Sequence, residues 1–410
     1  MTIRHLLTTA ALATALTAAA ACDSVLDVEN PGPLDDEDLN NIPTMTPLVN
    51  GMSFDLSRAV DDVLQNSSIM GDDLYHGGSY GPQGLFNRGV IRKEDVNGMW
   101  GSMHRARWVA ESGIQRLKTV LDTLYDRSVL SARANIYAGF ANRWLGEHVC
   151  EAVIDGGGRQ PHTVHFERAD SQFTEALRIL PNVTPAATRD SLRRAAYGGR
   201  ASVRAWLGRW TEAAADAAPA NVPITYTFWA RYSTNTPAEN NDLVFETNNR
   251  LEYTVFNTFW AGVRGDPRVP WDSVRTSGGA IQVGQDGRTP FFRQRKFNGL
   301  DADVPLTKGT EMLVLRAEER LRANDVPGAM ALINQMRGVF SLPALTATTV
   351  AEAWPILQRE RAALLWMEGR RFWDLRRWNA EPPPIKNTFL DSRDKCIPVS
   401  EEEEQSNPNV

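Results

Sequence analysis

The stretch "LQRERAALLWMEGRRFWDLRRWN" runs from Leu357 to Asn379 and mixes apolar side chains with arginine and glutamate at helical spacing. On a helix, such residues form apolar packing faces, and the guanidinium groups that flank them reach neighbouring carboxylates. We therefore interpret the stretch as a packed helix with a structural role rather than as a centre of chemistry. The positions that carry the pattern are Ala363, Leu364, Met367, Arg371, Trp373, Leu375 and Trp378.

Upstream of this stretch, helical patterns occur in pairs. Residues 131–149 and 169–180 each place apolar side chains on one face, so the two helices are expected to pack together. Residues 193–218 and 312–337 each predict a helix, a tight turn and a second helix. Between residues 221 and 306 the sequence changes to short β-branched or aromatic runs broken by Gly, Pro and Asn. The predicted fold is mainly α, with tetratricopeptide-like helix pairs forming a scaffold, long irregular loop insertions and a few short strands.

The composition is that of a globular protein. The chain has 44 Lys+Arg against 50 Asp+Glu, with 42% hydrophobic residues. A nucleic-acid-binding protein would carry clustered positive charge, so the mild negative excess argues against nucleic acid as a partner.

The N-terminus resembles a bacterial lipoprotein signal. Arg4 precedes an uncharged, alanine-rich segment that ends at Ala21, and Cys22 follows it. We expect residues 1–21 to be a signal peptide, Cys22 to be acylated and residues 22–45 to form an acidic tether. The segment is shorter than the roughly twenty residues of a membrane-spanning helix. The alternative is an ordinary cleavage site beside an unmodified cysteine. Residues 46–410 are expected to form a single domain with a loop insertion at about 221–306.

The 357–379 stretch also contains a sequence motif that is characteristic of a protein family. It resembles the ER-x-x-L-x-x-EG-x-R-x-x-DLRRW block of SusD/RagB-like outer-membrane lipoproteins. Other segments follow in the order that this family shows: "SVLDVENP", a "GDD" loop, "MWGSMHRARWVAE", "GDPRVPW", "LRAEERLRANDVPGAMALINQMR" and "CIPVSEEEEQSNPNV". The resemblance covers nearly the whole chain after the signal.

This resemblance implies a non-catalytic protein that is lipid-anchored to the outer membrane and exposed at the cell surface. Such a protein captures a nutrient, typically an oligosaccharide and in some members a peptide. It acts as a lid on a SusC-like TonB-dependent outer-membrane transporter. No cofactor is implied.

Candidate ligand-binding residues lie in two irregular regions. Sugar rings present apolar faces and hydroxyl edges, so a site for them combines aromatic rings with Asp, Asn or Arg. The glycine-rich segment 67–98, which precedes a predicted helix beginning near Met99, offers this mixture with Asp72, Asp73, Tyr75, His76, Tyr80, Asn87 and Arg88; second-rank candidates are Trp229, Tyr232 and Trp260 in the irregular middle region. The tryptophans in helical segments, among them Trp108, Trp366 and Trp373, are expected in the core or between helices.

Other interpretations are less favoured by the sequence. Gly77 to Gly81 matches the G-x-S-x-G motif of hydrolases, but no parallel-strand pattern precedes it. The six histidines lack the ligand spacing of a zinc site, so no metal is predicted. A membrane-anchored helical-repeat adaptor that binds only protein would share the scaffold and lack a ligand site. Cys150 and Cys396 either form a disulfide across a long loop or remain two isolated thiols.

Overall fold

The computed structural model describes residues 39–410. Residues 45–410 form one compact unit, and a short 3-10 helix at Ile42–Thr44 belongs to a separate N-terminal unit. In chain order the helices and strands are α1 Met45–Met70, β1 Tyr75–His76, α2 Gly81–Asn87, α3 Asn97–Leu121, α4 Val129–His148, β2 Glu151–Ala152, β3 Gln160–Pro161, α5 Thr163–Ile179, α6 Ala186–Trp206, α7 Trp210–Asp216, β4 Thr227–Ala230, α8 Asp242–Val244, β5 Tyr253–Thr254, β6 Trp271–Ser273, β7 Phe292–Gln294, β8 Val304–Lys308, α9 Gly309–Arg322, α10 Val326–Val339, α11 Val350–Leu364, α12 Arg371–Asn379 and α13 Glu401–Ser406.

The helices pack in sequence order, which confirms the predicted mainly α scaffold. α1 packs on α3, α3 on α4, α4 on α5, α5 on α6 and α6 on α7, and α9 packs on α10 and α11. Glycines allow close approach between neighbouring helices: Gly139 of α4 and Gly199 of α6 both face the ring of Phe173 on α5. A Cβ at Gly199 would lie 2.3 Å from that ring, so the three helices meet at a spacing that only glycine permits. The buried apolar side chains of this row form the main core.

The tight turns within the helix pairs lie where the sequence predicts them. Gly208, with φ +78°, separates α6 from α7. Asn324, with φ +60°, follows α9, and the carboxylate of Asp325 accepts a hydrogen bond from Gly328 at the start of α10. These residues supply the left-handed backbone and the N-cap that a helix–turn–helix needs.

The region between α7 and α9 contains short strands and long loops, as predicted. All four sheets of the described region are two-stranded and antiparallel, in the pairs β1–β5, β2–β3, β4–β8 and β6–β7. Thr227 at the start of β4 lies opposite Lys308 at the end of β8. The insertion therefore leaves and rejoins the helical scaffold at a single strand pair.

The 357–379 stretch is not one helix, and this corrects the sequence interpretation. α11 ends at Leu364, and a turn with Met367 at φ +55° and Gly369 at φ +71° leads into α12. A Cβ on Gly369 would lie 2.4 Å from the ring of Trp144, so the turn is pressed against α4. A continuous helix would move these residues away from α4 and from the loop that follows α1.

Three arginines of the stretch pair with buried carboxylates, in agreement with the sequence interpretation. Arg361 donates to Asp374 at 2.7 Å, and Arg370 donates to Glu147 at 2.9 Å. Arg377 forms a two-point ion pair with Glu318 on α9. Because these groups are almost completely buried, they tie α12 to α4, α9 and α11 through strong charge-assisted bonds. Trp366 and Trp373 are buried as expected, whereas Trp108 is 57% exposed on α3 and its predicted core position is wrong.

Candidate functional site

The loop that follows α1 is held in place at both ends. Strand β1 places Tyr75 opposite Thr254 and His76 opposite Tyr253 of β5. The Asn87 side chain accepts from the His76 backbone N–H at 2.9 Å and donates to the His76 carbonyl at 2.8 Å. Asn87 thus bonds both backbone groups of His76, as a neighbouring strand would, and this holds the loop in position.

The two acidic residues of the "GDD" loop face the protein rather than solvent. Asp73 is buried and accepts hydrogen bonds from the Trp260 indole at 2.9 Å and from the Met367 backbone N–H at 3.0 Å. Burial raises the pKa of Asp73 to about 7. Asp72, at φ +64°, accepts from the Phe259 backbone N–H at 3.2 Å, and Arg371 lies 3.8 Å away. Both carboxylates join this loop to the middle region and to the 357–379 stretch.

The G-x-S-x-G segment forms a hydrogen-bonded cluster around the buried side chains of Glu252 and His76. The Ser79 hydroxyl and backbone N–H both donate to Glu252, at 2.9 and 2.7 Å. His76 Nε2 accepts from the Tyr80 backbone N–H at 3.3 Å and lies 3.4 Å from Glu252. Burial lowers the pKa of His76. The serine hydroxyl is thus bonded to a carboxylate instead of to a histidine base, which is not the arrangement of a nucleophile elbow.

Beside this cluster lies an open pocket of about 530 Å³, which we call the Tyr80 pocket. The Tyr80 hydroxyl donates to Glu246 at 3.2 Å, and the Arg250 guanidinium lies 5.1 Å from the centre of the Tyr80 ring. The pocket is lined by Asp62, Gln65, Ser79, Tyr80, Gly81, Pro82, Gln83, Asp242, Glu246 and Tyr253.

The electrostatics of the Tyr80 pocket are set by three carboxylates and two arginines. Arg58 of α1 lies 2.9 Å from Asp242 and 3.6 Å from Asp62. Burial raises the pKa of both Asp62 and Glu246. The half-buried carboxylates and the amides of Gln65 and Gln83 offer several hydrogen-bond acceptors and donors beside one aromatic ring.

The other predicted site residues lie elsewhere or are inaccessible. Trp260 is 1% exposed, and the buried Tyr232 donates its hydroxyl to the Ser57 carbonyl at 2.8 Å. Trp260 therefore offers no ring face to a ligand, whereas Tyr232 lines a separate pocket beside Phe54. Trp229 is half-buried in a separate pocket, and Arg88 is exposed.

Several lining residues of the Tyr80 pocket were not predicted. Asp62 and Gln65 project from α1. Asp242 is the first residue of α8, and Glu246 lies just after that helix. The Tyr80–Glu246 hydrogen bond joins residues 166 positions apart, and no short-range sequence pattern signals such a pairing.

Three further predictions concern other parts of the chain. Cys22 and the acidic tether up to residue 38 lie outside the described residues. The structure joins Cys150 and Cys396 in a disulfide with their Cα atoms 5.0 Å apart. Within residues 39–410, no three His, Cys, Asp or Glu side chains are grouped as metal ligands, and no helix has the length and hydropathy to cross a bilayer.

Comparison with known proteins supports the resemblance seen in the sequence. Residues 265–408 match the family model described as the SusD family. No curated protein matches the chain.

The whole described unit is similar to solved SusD-type structures. A SusD superfamily protein from Bacteroides vulgatus superposes with a TM-score of 0.67 at 15% identity, covering 90% of this chain and 97% of that one. Surface glycan-binding protein A from Bacteroides uniformis gives a TM-score of 0.67 at 15% identity, covering 90% and 98%. A laminarin-binding SusD-like protein gives 0.57 at 13% identity, covering 90% and 100%. The SusD resemblance and the SusD fold are thereby confirmed.

Proposed function

We propose that this SusD-like chain binds an oligosaccharide in the Tyr80 pocket and delivers it, without catalysis, to a TonB-dependent outer-membrane transporter. The observation that carries the binding proposal is the pocket itself. It places one partly exposed tyrosine ring beside Asp62, Asp242 and Glu246 on a fold shared with glycan-binding proteins.

The chemistry of the pocket suits a hydroxyl-rich ligand. A carboxylate can accept two hydrogen bonds from neighbouring hydroxyls, and the amides of Gln65 and Gln83 can both donate and accept. The apolar face of a pyranose ring packs against an aromatic ring such as that of Tyr80. Small-ligand sites generally combine such an apolar wall with a few placed polar groups.

The transporter role rests on the resemblance of the chain to the SusD/RagB family. In this proposal acylated Cys22 anchors the protein at the cell surface, residues 22–45 act as a tether, and the single domain beginning at residue 46 forms the lid. A SusC-like transporter is the partner. The row of packed helices α3 to α6 offers an extended surface for such a contact.

The binding proposal is tested by titrating the purified protein with a panel of neutral and charged oligosaccharides, laminarin included. Tyr80→Ala should weaken binding of the best ligand about tenfold, the effect expected from loss of one aromatic contact. Tyr197→Ala is the matched control, because Tyr197 is also partly exposed with an arginine, Arg200, 5.4 Å from its ring centre. Equal affinities for the two variants would remove the Tyr80 pocket from the proposal. Appearance of shortened products during incubation would contradict a non-catalytic role.

The anchor and the partner are tested together by purifying the protein from detergent-solubilised membranes. Mass spectrometry should find an acylated N-terminal Cys22 and a co-purified transporter. A free N-terminus and no transporter, together with no bound oligosaccharide, would favour an adaptor that binds only protein.

A further inference from the structure

A second pocket, of about 550 Å³, lies at the strand pair that brackets the insertion. We call it the Trp229 pocket. Its walls come from β4, from β8, from the segment around Lys296 and Phe297, and from Glu368 of the turn between α11 and α12. Trp229 lies opposite Pro305 in the β4–β8 ladder and is half-buried, so its ring forms an apolar wall.

Two lysines in this pocket share one oxygen of one carboxylate. Lys296 Nζ lies 2.6 Å and Lys308 Nζ 2.5 Å from Glu368 Oε1. Each ammonium also donates to one backbone carbonyl, Lys296 to Trp366 at 2.6 Å and Lys308 to Leu364 at 2.8 Å. An ammonium has three hydrogens, so each lysine retains one donor beyond these two bonds.

The charges of the pocket do not balance. Lys296 and Lys308 face the single carboxylate of Glu368, whereas the remaining pair, Arg231 with Asp303, is neutral as a pair. Burial and the nearby charge of Lys308 lower the pKa of Lys296 to about 8. The attraction of Glu368 opposes this shift but is outweighed by burial. The lining of the pocket therefore carries one positive charge in excess, which favours an incoming anion; Asp73, which also attracts Lys296, does not line the pocket.

We propose that the Trp229 pocket binds an anionic group of the ligand, a carboxylate or a sulfate ester, through Lys296 and Lys308. The anion accepts the remaining N–H of each lysine, and the ring that carries it packs against Trp229. The ligand class is then an acidic oligosaccharide. The identification of the ligand as an oligosaccharide rests on the proposed function, whereas the anion site itself does not.

A third pocket shares one lining residue with the Trp229 pocket and contains an arginine that pairs with residues of the Tyr80 pocket. A pocket of about 310 Å³ beside the exposed Phe54 is lined by Arg231, which also lines the Trp229 pocket, and by Arg58. Arg58 in turn pairs with Asp62 and Asp242, which line the Tyr80 pocket.

The test compares three oligosaccharides of equal length by calorimetry: a uronate oligomer, a sulfated neutral oligomer and the unmodified neutral oligomer. At least one anionic probe should bind about tenfold more tightly than the neutral one, the effect of adding charge-assisted hydrogen bonds. Preference for the uronate identifies a carboxylate ligand, and preference for the sulfated oligomer identifies a sulfate ester. Equal binding of all three would overturn the anion site.

Variants assign the preference to this pocket. Lys308→Met should abolish it, Lys308→Arg should retain it, and Lys395→Met, at an exposed lysine outside the pocket, should leave it unchanged. An unchanged preference in Lys308→Met would overturn the assignment.

A pH series on the unaltered protein provides evidence that does not depend on the folding of a variant. The pKa of Lys296 is about 8 and that of Asp73, which faces it, is about 7, so the net positive charge near the site decreases as the pH rises from 7 to 9. Anion affinity should therefore fall over this range, while carboxylate and sulfate probes remain ionised. The charged groups that face Lys296 are Lys308, Glu368 and Asp73, with Arg231 and Asp303 on the pocket wall. A flat profile would contradict the site.

Inorganic sulfate separates this inference from the proposed function. Sulfate binding that is lost in Lys308→Met, without binding of any oligosaccharide, would overturn the proposed function and support the anion site. Binding of neutral oligosaccharides with no response to sulfate would overturn the anion site alone.

Discussion

Replacing Glu318 with glutamine should remove a large part of the stability of the helical scaffold. The side chain is buried on α9 and forms a two-point ion pair with Arg377 of α12. Arg322 also donates to it at 3.1 Å, and the indole of Trp378 lies 3.4 Å away. The amide of glutamine keeps the shape of the side chain but removes its charge, so two arginines lose their shared counterion.

The size of the effect follows from the protonation equilibrium of Glu318. Burial disfavours the charged carboxylate, yet Arg377, with Arg322 and Arg361, lowers its pKa from 4.5 to about 2. A tenfold change in an acid dissociation constant corresponds to about 1.4 kcal/mol, so ionised Glu318 contributes about 3 kcal/mol at neutral pH. Breaking a buried ion pair by removing one partner typically costs about 3–5 kcal/mol, which agrees with this value.

The assay is urea unfolding of Glu318→Gln at pH 7, with Glu319→Gln as the matched control. Glu319 is the next residue on the same helix, its side chain is 21% exposed, and its ion-pair partner, Arg320, lies 3.6 Å away. An exposed pair of this kind contributes about 0–1 kcal/mol. A loss of about 3 kcal/mol in Glu318→Gln and a much smaller loss in Glu319→Gln is expected. Equal losses, or a loss below about 1 kcal/mol for Glu318→Gln, would refute the reasoning.

The same linkage predicts an acid limit for the unaltered protein. The folded-state pKa of Glu318 is below its unfolded value, so its contribution is fully present above about pH 5 and is lost as the pH falls towards 2. Glu147, held by Arg143 and Arg370, has a pKa lowered to about 2 as well and adds to the same trend. Glu318→Gln should therefore show a weaker loss of stability between pH 5 and pH 2 than the unaltered protein.

Three further changes test the packing. Cys150→Ser should lower the free energy of unfolding by about 4 kcal/mol under oxidising conditions, since the Cys150–Cys396 disulfide joins residues 246 positions apart, and adding reductant to the unaltered protein should give a similar loss. Gly199→Ala should lower the melting temperature, because a Cβ there overlaps the Phe173 ring and overpacking costs about 1–3 kcal/mol. Gly101→Ala, where a Cβ meets no atom within 4 Å on α3, should raise it, since alanine favours a helix by about 1 kcal/mol over glycine.

The helical scaffold was predictable because its signals are local. Apolar residues three and four positions apart define one face of a helix, so residues 131–149 and 312–337 were placed in helices from periodicity alone. Gly208 and Asn324 mark turns because a positive φ favours these residue types. The same locality explains the error at residues 357–379. The helical spacing of apolar residues continues through the turn, so periodicity does not reveal the break. At the break Gly369 contacts Trp144, which belongs to a helix more than 200 positions away in the sequence.

The candidate site was only partly predictable. The loop around Tyr80 was identified from its mixture of aromatic and polar residues, and that composition is a local property. Which of its side chains face solvent depends on residues distant in sequence: Trp260 and Met367 turn Asp73 inward, and Glu246 meets Tyr80 across 166 positions.

The sequence by itself thus determined the helix pairs, their turns and which aromatic and polar residue types the candidate loop contains. Backbone propensity and side-chain periodicity act over a few positions, so these features are local. Only the tertiary structure decided which carboxylates are buried, which aromatic ring lies in a pocket and which lysines share Glu368. Burial and charge pairing arise when distant segments pack together, and they have no short-range pattern in the chain.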